Sequence, residues 1–346
     1  MSKEMMGGQN CNINKKEEKP KFKKYEPITE KRFREIIGSE LESPEGVIEL
    51  WVKKLNNSLE NISEKTNGEY KVAINSDDEE YGTRLVDIDG TIMIESFQKS
   101  EGGPYMREDK EFKKDKKKVK ELEKKWHKEE KEKNFGELWE KAKTVILNKI
   151  IGTGFIVVRA SKHDDYENGV DNVIIDKEAG NVVCAFDEVS AEEGTEKEAE
   201  KSEKVEEKNE EGGATIKYGI TVNEENKIIK KEIKNIPVFY LRLSGRDLVK
   251  TLSKMNFKGE KPSEIELNVF DDLMSSLKEQ LEELENKDIP ENENKEGVKA
   301  MMINAEKFEH SLKKIEKLRK GFDANEQKRK TGLAVFCFLY EFSQFF

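Results

Sequence analysis

Asp165, Asp171 and Asp187 all fall within Arg159–Ser190, RASKHDDYENGVDNVIIDKEAGNVVCAFDEVS. Two runs rich in Val and Ile, Val170–Ile175 and Asn181–Phe186, are joined there by Asp176-Lys177-Glu178-Ala179-Gly180. Such runs around a short loop with Gly predict a β-hairpin. Side chains alternate along a strand, so Val183, Ala185 and Asp187 are expected on one face. One acid ending an apolar strand face beside another that opens the neighbouring strand makes a carboxylate pair. A hard cation such as Mg²⁺ is usually held by one or two carboxylates with water and substrate phosphates. The same three positions also suit acids that face water at turns and strand ends.

The elements around the hairpin have their own signals. Asn134, with Glu137 three residues on, predicts a capped helix whose stripe is Leu138, Ala142, Val145, Ile146 and Ile150. Phe155–Val158 is a short strand candidate. Ala191–Gly212 is almost entirely Glu, Lys, Ala and Ser. It offers so little apolar surface that an exposed helix or a flexible, mobile insertion is expected. Strands are expected again at Ile216–Val222, Lys227–Ile233 and Ile236–Leu243, then a helix capped by Ser244.

In this order the blocks RASKHDDYENGVD and VVCAFDEV resemble the core of the PD-(D/E)XK nuclease superfamily, and nuclease-like proteins of uncultured bacteria. The resemblance spans roughly residues 134–245. It implies a mixed sheet with a restriction-endonuclease-like core, Asp171 as first acid and Asp187 as second. The superfamily expects Lys two residues after the second acid, where this chain has Val189. Lys217 is the candidate for a displaced catalytic lysine. The implied chemistry is hydrolysis of DNA or RNA phosphodiesters with Mg²⁺ or Mn²⁺. Asp165, Asp171 and Asp187 would hold the metal, with Glu140 as a further ligand or water-orienting acid. A nuclease-like binding protein without activity is the alternative.

A second motif, Leu85-Val86-Asp87-Ile88-Asp89-Gly90-Thr91, resembles the first motif of haloacid-dehalogenase-type phosphatases. That fold needs a buried parallel strand running into a helix, whereas Thr83 and Arg84 precede the motif and Ile92-Met93-Ile94-Glu95 continues as a strand pattern. The physical reading is a hairpin with a two-residue Asp89-Gly90 turn, outside any parallel sheet.

Charged residues make up 39% of the chain and hydrophobic ones 34%, with net charge −10, so solvated helix or disorder is expected over part of it. Overall acidity excludes a uniformly basic nucleic-acid binder but not a local basic patch. Cys11, Cys184 and Cys337 form no CxxC pair, which fits a reducing, cytoplasmic setting. His127, His163 and His310 are mutually isolated, and only His163 adjoins acids. Residues 1–24 read as a tail without an apolar targeting segment. Residues 25–133 read as an α+β segment ending in a Lys-rich helix. Its helix opened by Ser43-Pro44 carries Val47, Leu50, Trp51, Leu55 and Leu59 as an apolar stripe, and Tyr70–Asn75 and Arg84–Glu95 are β patterns. Residues 134–260 form the nuclease-like core, and 261–346 a helical hairpin. The apolar run Gly332–Tyr340 is too short to span a bilayer and is a candidate protein contact. The expected fold is thus α+β, a mixed central sheet flanked by helices.

Overall fold

A computed structural model of the chain describes residues 29–38, 43–69, 85–97, 109–129, 135–189, 191, 193–224, 228–259, 261–287 and 294–343. The expectations for residues 1–24, for Tyr70–Asn75 and for Asn134 as a cap lie outside the described residues. The fold is mixed α+β, with nine α-helices and two small sheets among the described residues.

Two helices precede the sheets. Thr29 caps α1 (Glu30–Ile37), its hydroxyl accepting from the Arg32 N–H. Ser43 and Pro44 open α2 (Pro44–Glu69). Val47, Trp51, Leu55 and Leu59 are buried as the stripe requires, but Leu50 turns to solvent. Next in the chain, α3 (Asp109–Glu129) is the Lys-rich helix and α4 (Phe135–Ile151) leads into the central sheet.

The sheet elements follow as β1 (Phe155–Arg159), α5 (Lys162–Asn168), β2 (Asn172–Asp176), β3 (Val182–Val189) and α6 (Glu196–Glu210). A separate antiparallel pair comes next, β4 (Ala214–Val222) and β5 (Ile228–Ile236), and then β6 (Val238–Arg242). The central order is β1-β2-β3-β6. The first three strands form an antiparallel meander, and β6 lies parallel to β3. The connection from β3 to β6 runs through α6, β4 and β5, ample length for a parallel crossover.

The sheet separates two cores. On one face, α4, α7 (Gly245–Lys254), α8 (Glu264–Asn286) and α9 (Lys295–Ser343) pack over Phe155, Val157, Ile174, Cys184, Phe186 and Phe239. That core reaches back to Leu55 and Leu59 of α2, so residues from all three expected structured segments share it. On the opposite face, β4 and β5 pack over Ile156, Val158, Val173, Ile175 and Ala185. α8 and α9 are antiparallel, tied by Arg319 to Asp271 at 2.8 Å and by Lys278 to Glu316. The run Gly332–Tyr340 is part of α9. No helix among the described residues is long and apolar enough to cross a membrane.

Two expectations are corrected. The first concerns alternation along β3. The register slips between Ile174 and Ile175, opposite Cys184 and Val182, leaving Val183 as an extra residue. This β-bulge puts Val183 and Cys184 into the same core and Ala185 into the other. Val183 therefore does not share the face of Ala185. The second concerns Ala191–Gly212, expected to be exposed as a helix or a flexible insertion. It contains α6, a largely exposed helix that nonetheless buries Val205 and Asn209. Polar anchors stand in for the missing apolar face. The Asn209 amide accepts from the Val238 N–H at 3.0 Å and donates to the Val238 carbonyl at 2.8 Å.

Gln280 of α8 does the same one pleat along, bonding both the N–H and the carbonyl of Tyr240. β6 is the edge strand, and these two amides occupy the positions a further strand would take. Asn209→Leu should leave two buried peptide groups unsatisfied and cost about 2–3 kcal/mol of stability. Chemical denaturation checks this, and a variant as stable as wild type would mean that the edge is not sealed by Asn209.

Candidate functional site

The site grows from three strand ends that antiparallel pairing brings together. Arg159 closes β1, Asn172 opens β2 opposite it, and Phe186 pairs with Asn172 from β3. Asp171, one residue before β2, donates its N–H to the Phe186 carbonyl and accepts from the Ala160 N–H at its own carbonyl. Its place is set by α5, capped by Ser161 and terminated by Gly169. Gly169 has φ +55°, a left-handed conformation that turns the chain out of the helix and into β2. Lys208 donates to the Gly169 carbonyl at 2.8 Å, tying α6 to this corner.

Asp171 is the hub. Its Oδ2 accepts from the Glu188 N–H at 2.6 Å, and its carboxylate is hydrogen-bonded to Asp165. Burial raises the pKa of Asp165 well above the usual carboxylate range, and repulsion from Asp171 and Glu140 raises it further. Burial and Glu140 also raise Asp171, while Lys201, Lys143 and the hydrogen bond from Asp165 act against them. Each carboxyl therefore makes ionisation of the other harder, as close like charges do. Both residues remain partly exposed.

The flanking acids separate by strand alternation. Glu188 points to the α4 side, where it forms an ion pair with the fully buried Lys143. The Lys143 ammonium also lies 5.3 Å from the centre of the Phe186 ring. Burial pulls the Lys143 pKa down to about 7, although Asp171 and Glu140 oppose the shift. Glu140, one turn before Lys143, accepts from Arg159 at 2.6 Å. Asn172 links the groups by accepting from Thr144 and donating to Glu188. Asp187 points to the opposite side, paired with Lys201 and 3.7 Å from Lys208, both on α6. Burial and repulsion from Asp171 raise the Asp187 pKa to about 6 against those lysines.

Asp165, Asp171 and Glu140 therefore share one neighbourhood, with Asp187 on its far side. The expected catalytic Lys217 sits elsewhere. Its ammonium pairs with Asp115 at 2.6 Å and Glu111 at 2.8 Å, because β4 belongs to the second sheet and faces α3. Asp115 also accepts from the Tyr218 hydroxyl and lies 3.5 Å from His163, so His163 belongs to that packing cluster. Val189 shares the face of Asp187, away from α4.

Sequence reasoning missed Glu188, Lys143 and Arg159. Glu140 and Lys143 are three residues apart on one helix, a spacing that puts both on one face and was available as a signal. Glu188 was hidden by the bulge, which upset the face count along β3.

The Asp89-Gly90 motif also arrives here. Asp87 donates its N–H to the Thr91 carbonyl, Gly90 donates to the Asp87 carbonyl, and Val86 bridges Ile92 in antiparallel fashion. The hairpin is present, but its loop is Ile88-Asp89-Gly90, with Gly90 at φ +82°. This three-residue form ends in a left-handed residue. The motif lies in no parallel sheet, and its one parallel contact is an isolated bridge, Thr91 to Arg159. That bridge docks the loop on β1 and sets Asp89 3.3 Å from Arg159. Burial, with the hydrogen bond and charge of Asp89, raises Asp87 to about 7.

Among the described residues, no group of three or more His, Cys, Asp or Glu is disposed to hold a metal ion. A cavity of about 120 Å³ between α6, β6 and α8, lined by Ser202, Val205, Tyr240 and Gln280, includes none of the candidate acids. In comparisons with known proteins, no family model, curated protein or solved structure matches the chain.

The Asp187 pKa lies above the usual 3.8 of an unfolded aspartate. Its stabilising contribution is therefore complete below about pH 4 and lost as pH rises through about 6, a loss of up to about 3 kcal/mol. Asp187→Asn should escape it and gain stability relative to wild type between pH 4 and 7. Urea melts at both pH values read this directly; an equal difference at the two would remove the assignment.

Proposed function

We propose that the chain is a PD-(D/E)XK-like, divalent-metal-dependent phosphodiesterase acting on nucleic acid. The observation that carries this reading is the order α4–β1–α5–β2–β3–α6–β4–β5–β6, in which β1, β2 and β3 form an antiparallel meander and β6 joins it parallel to β3. It collects Glu140, Asp171, Glu188 and Lys143 at one end of the sheet. The superfamily pattern carries over to this arrangement with Asp171 as first acid and Glu188, rather than Asp187, as second. The lysine expected after the second acid is replaced in space by Lys143 of α4.

The hydrogen-bonded pair Asp165–Asp171 matches the one or two carboxylates that Mg²⁺ or Mn²⁺ needs when water and a substrate phosphate complete its shell. Such an ion, when bound, polarises the phosphate and makes bound water acidic. The chain's own residues do the rest. Asp171 is aimed by the Glu188 N–H. Lys143, buried against Glu188, sets positive charge beneath the carboxylates and offsets theirs. Arg159, kept charged against burial by Glu140 and Asp89, offers a cation to the phosphate.

A second reading, a nucleic-acid-binding protein without activity, is favoured by the ion pairs Lys143–Glu188 and Arg159–Glu140. They already neutralise two of the acids a catalyst would use. The phosphatase reading of Asp87 and Asp89 has no such support, because both sit in a hairpin loop.

Cleavage of labelled DNA and RNA in Mg²⁺ or Mn²⁺ separates the readings. Asp171→Asn keeps an oxygen for the Glu188 N–H and should lower cleavage by at least a hundredfold with little loss of stability. Lys143→Met strands a buried carboxylate and should cost about 3–5 kcal/mol, much of it recovered when Glu188→Gln is added. That folded double variant should still be inactive. Cleavage by Asp171→Asn at the wild-type rate, or none by wild type with either metal, would retire the enzyme reading.

A further inference from the structure

The candidate site is acidic at its mouth, with Asp87, Asp89, Glu140, Asp165 and Asp171 all partly exposed. A polyphosphate substrate is repelled there, so its affinity has to come from another surface. α3 holds ten lysines and six acids in a chain of net charge −10. Two of those acids are turned inward. Asp115 is buried against Tyr218, and Glu123 is pinned to Lys162 at 2.6 Å. Phe112 and Val119 are buried in the second core. The solvent face carries Lys110, Lys113, Lys117, Lys120 and Lys124, all exposed and spaced three and four residues apart, with Glu121 exposed at its border 3.8 Å from Lys117. The stripe is about 21 Å long, which matches about six phosphates along one strand of a duplex.

α3 also stands beside the site. Lys118 pairs with Glu167 and Glu123 with Lys162, joining α3 to α5, the helix that carries Asp165. Burial opposes charge on Lys162, yet Glu123, Asp89 and Asp87 together raise its pKa. That coupling brings α3, α5 and the Asp89 loop to one region. We infer that the lysine face of α3 is a track for a nucleic-acid phosphate backbone, holding the strand beside the acidic site. It rests on the phosphodiesterase reading for its substrate class. An anionic membrane is the weaker match, because the apolar residues that would enter a bilayer are buried in the protein.

The test is fluorescence anisotropy of the full chain with labelled duplex DNA and single-stranded RNA, in EDTA so that no cleavage occurs, across a salt series. Lys110→Gln, Lys117→Gln, Lys120→Gln and Lys124→Gln combined should weaken binding at least tenfold. The log–log salt slope for duplex should become shallower by about 2–4. A control with the same charge change, Lys250→Gln, Lys258→Gln, Lys307→Gln and Lys313→Gln, should leave both unchanged. Unchanged affinity and slope in the α3 variant, an equal loss in the control, or binding to phosphatidylserine vesicles in place of nucleic acid would each overturn the track. Loss of the slope in the α3 variant, alongside a wild type that never cleaves, supports the track and retires the enzyme reading. Mg²⁺-dependent cleavage with an unchanged slope does the reverse.

Discussion

Taking charge out of water at one end of a four-stranded sheet is the constraint on which the rest of this structure depends. Ionised groups lose far more by leaving water than one hydrogen bond returns. At this end each is met by an opposite charge or a hydrogen bond: Lys143 by Glu188, Arg159 by Glu140 and Asp89, Asp165 by Asp171. The helices are arranged to supply those partners. α4 brings Glu140 and Lys143 from one face, and α6 brings Lys201 and Lys208 from the other. Asp171 lies between the two supplies and responds to both. The order of the elements matters because it decides which charges can meet.

Two kinds of packing hold that arrangement. The α4 face is ordinary apolar burial, with Phe186, Cys184 and Ile174 beneath helices drawn from both ends of the chain. The opposite face relies more on directed polar contacts. Asp164 accepts from the N–H groups of Lys217 and Tyr218 and from Asn168, fastening α5 to β4. Asn209 fastens α6 to β6. This explains how a chain with 34% hydrophobic residues still closes around its sheet.

The strands were legible because Val and Ile runs are dense there. FIVVR, NVIID and VVCAFDEV are nearly continuous apolar segments, and each became a strand within three residues of its expected bounds. The caps at Ser43 and Ser244 were legible for the same local reason. Lys143 was not legible as a buried residue. In Glu140-Lys141-Ala142-Lys143-Thr144 it reads as a surface lysine, and only the strand beneath it supplies Glu188. α6 was legible as an exposed helix, but its burial of one valine and one asparagine was not, because their partners are distant in sequence. Lys217 was the candidate for a displaced lysine, and local sequence says nothing of which sheet its strand joins. The carboxylate pair expected across the hairpin was Asp171 with Asp187; the turn at Gly169 instead brings Asp165 into contact with Asp171.

The extra residue at Val183 has a consequence for how such a site changes over generations. Two neighbouring acids, Asp187 and Glu188, are carried to opposite sides of the sheet, and the bulge sets which goes to which side. Deleting the extra residue itself would only restore ordinary alternation, but deleting one between Cys184 and Asp187, with the bulge and β2 held in place, would advance the outer end of β3 by one step. Asp187 would then face α4 and Glu188 would face α6. A single codon thus acts as a phase setting: it exchanges the carboxylate offered to Lys143 for one shorter by a methylene, with no substitution at either acid.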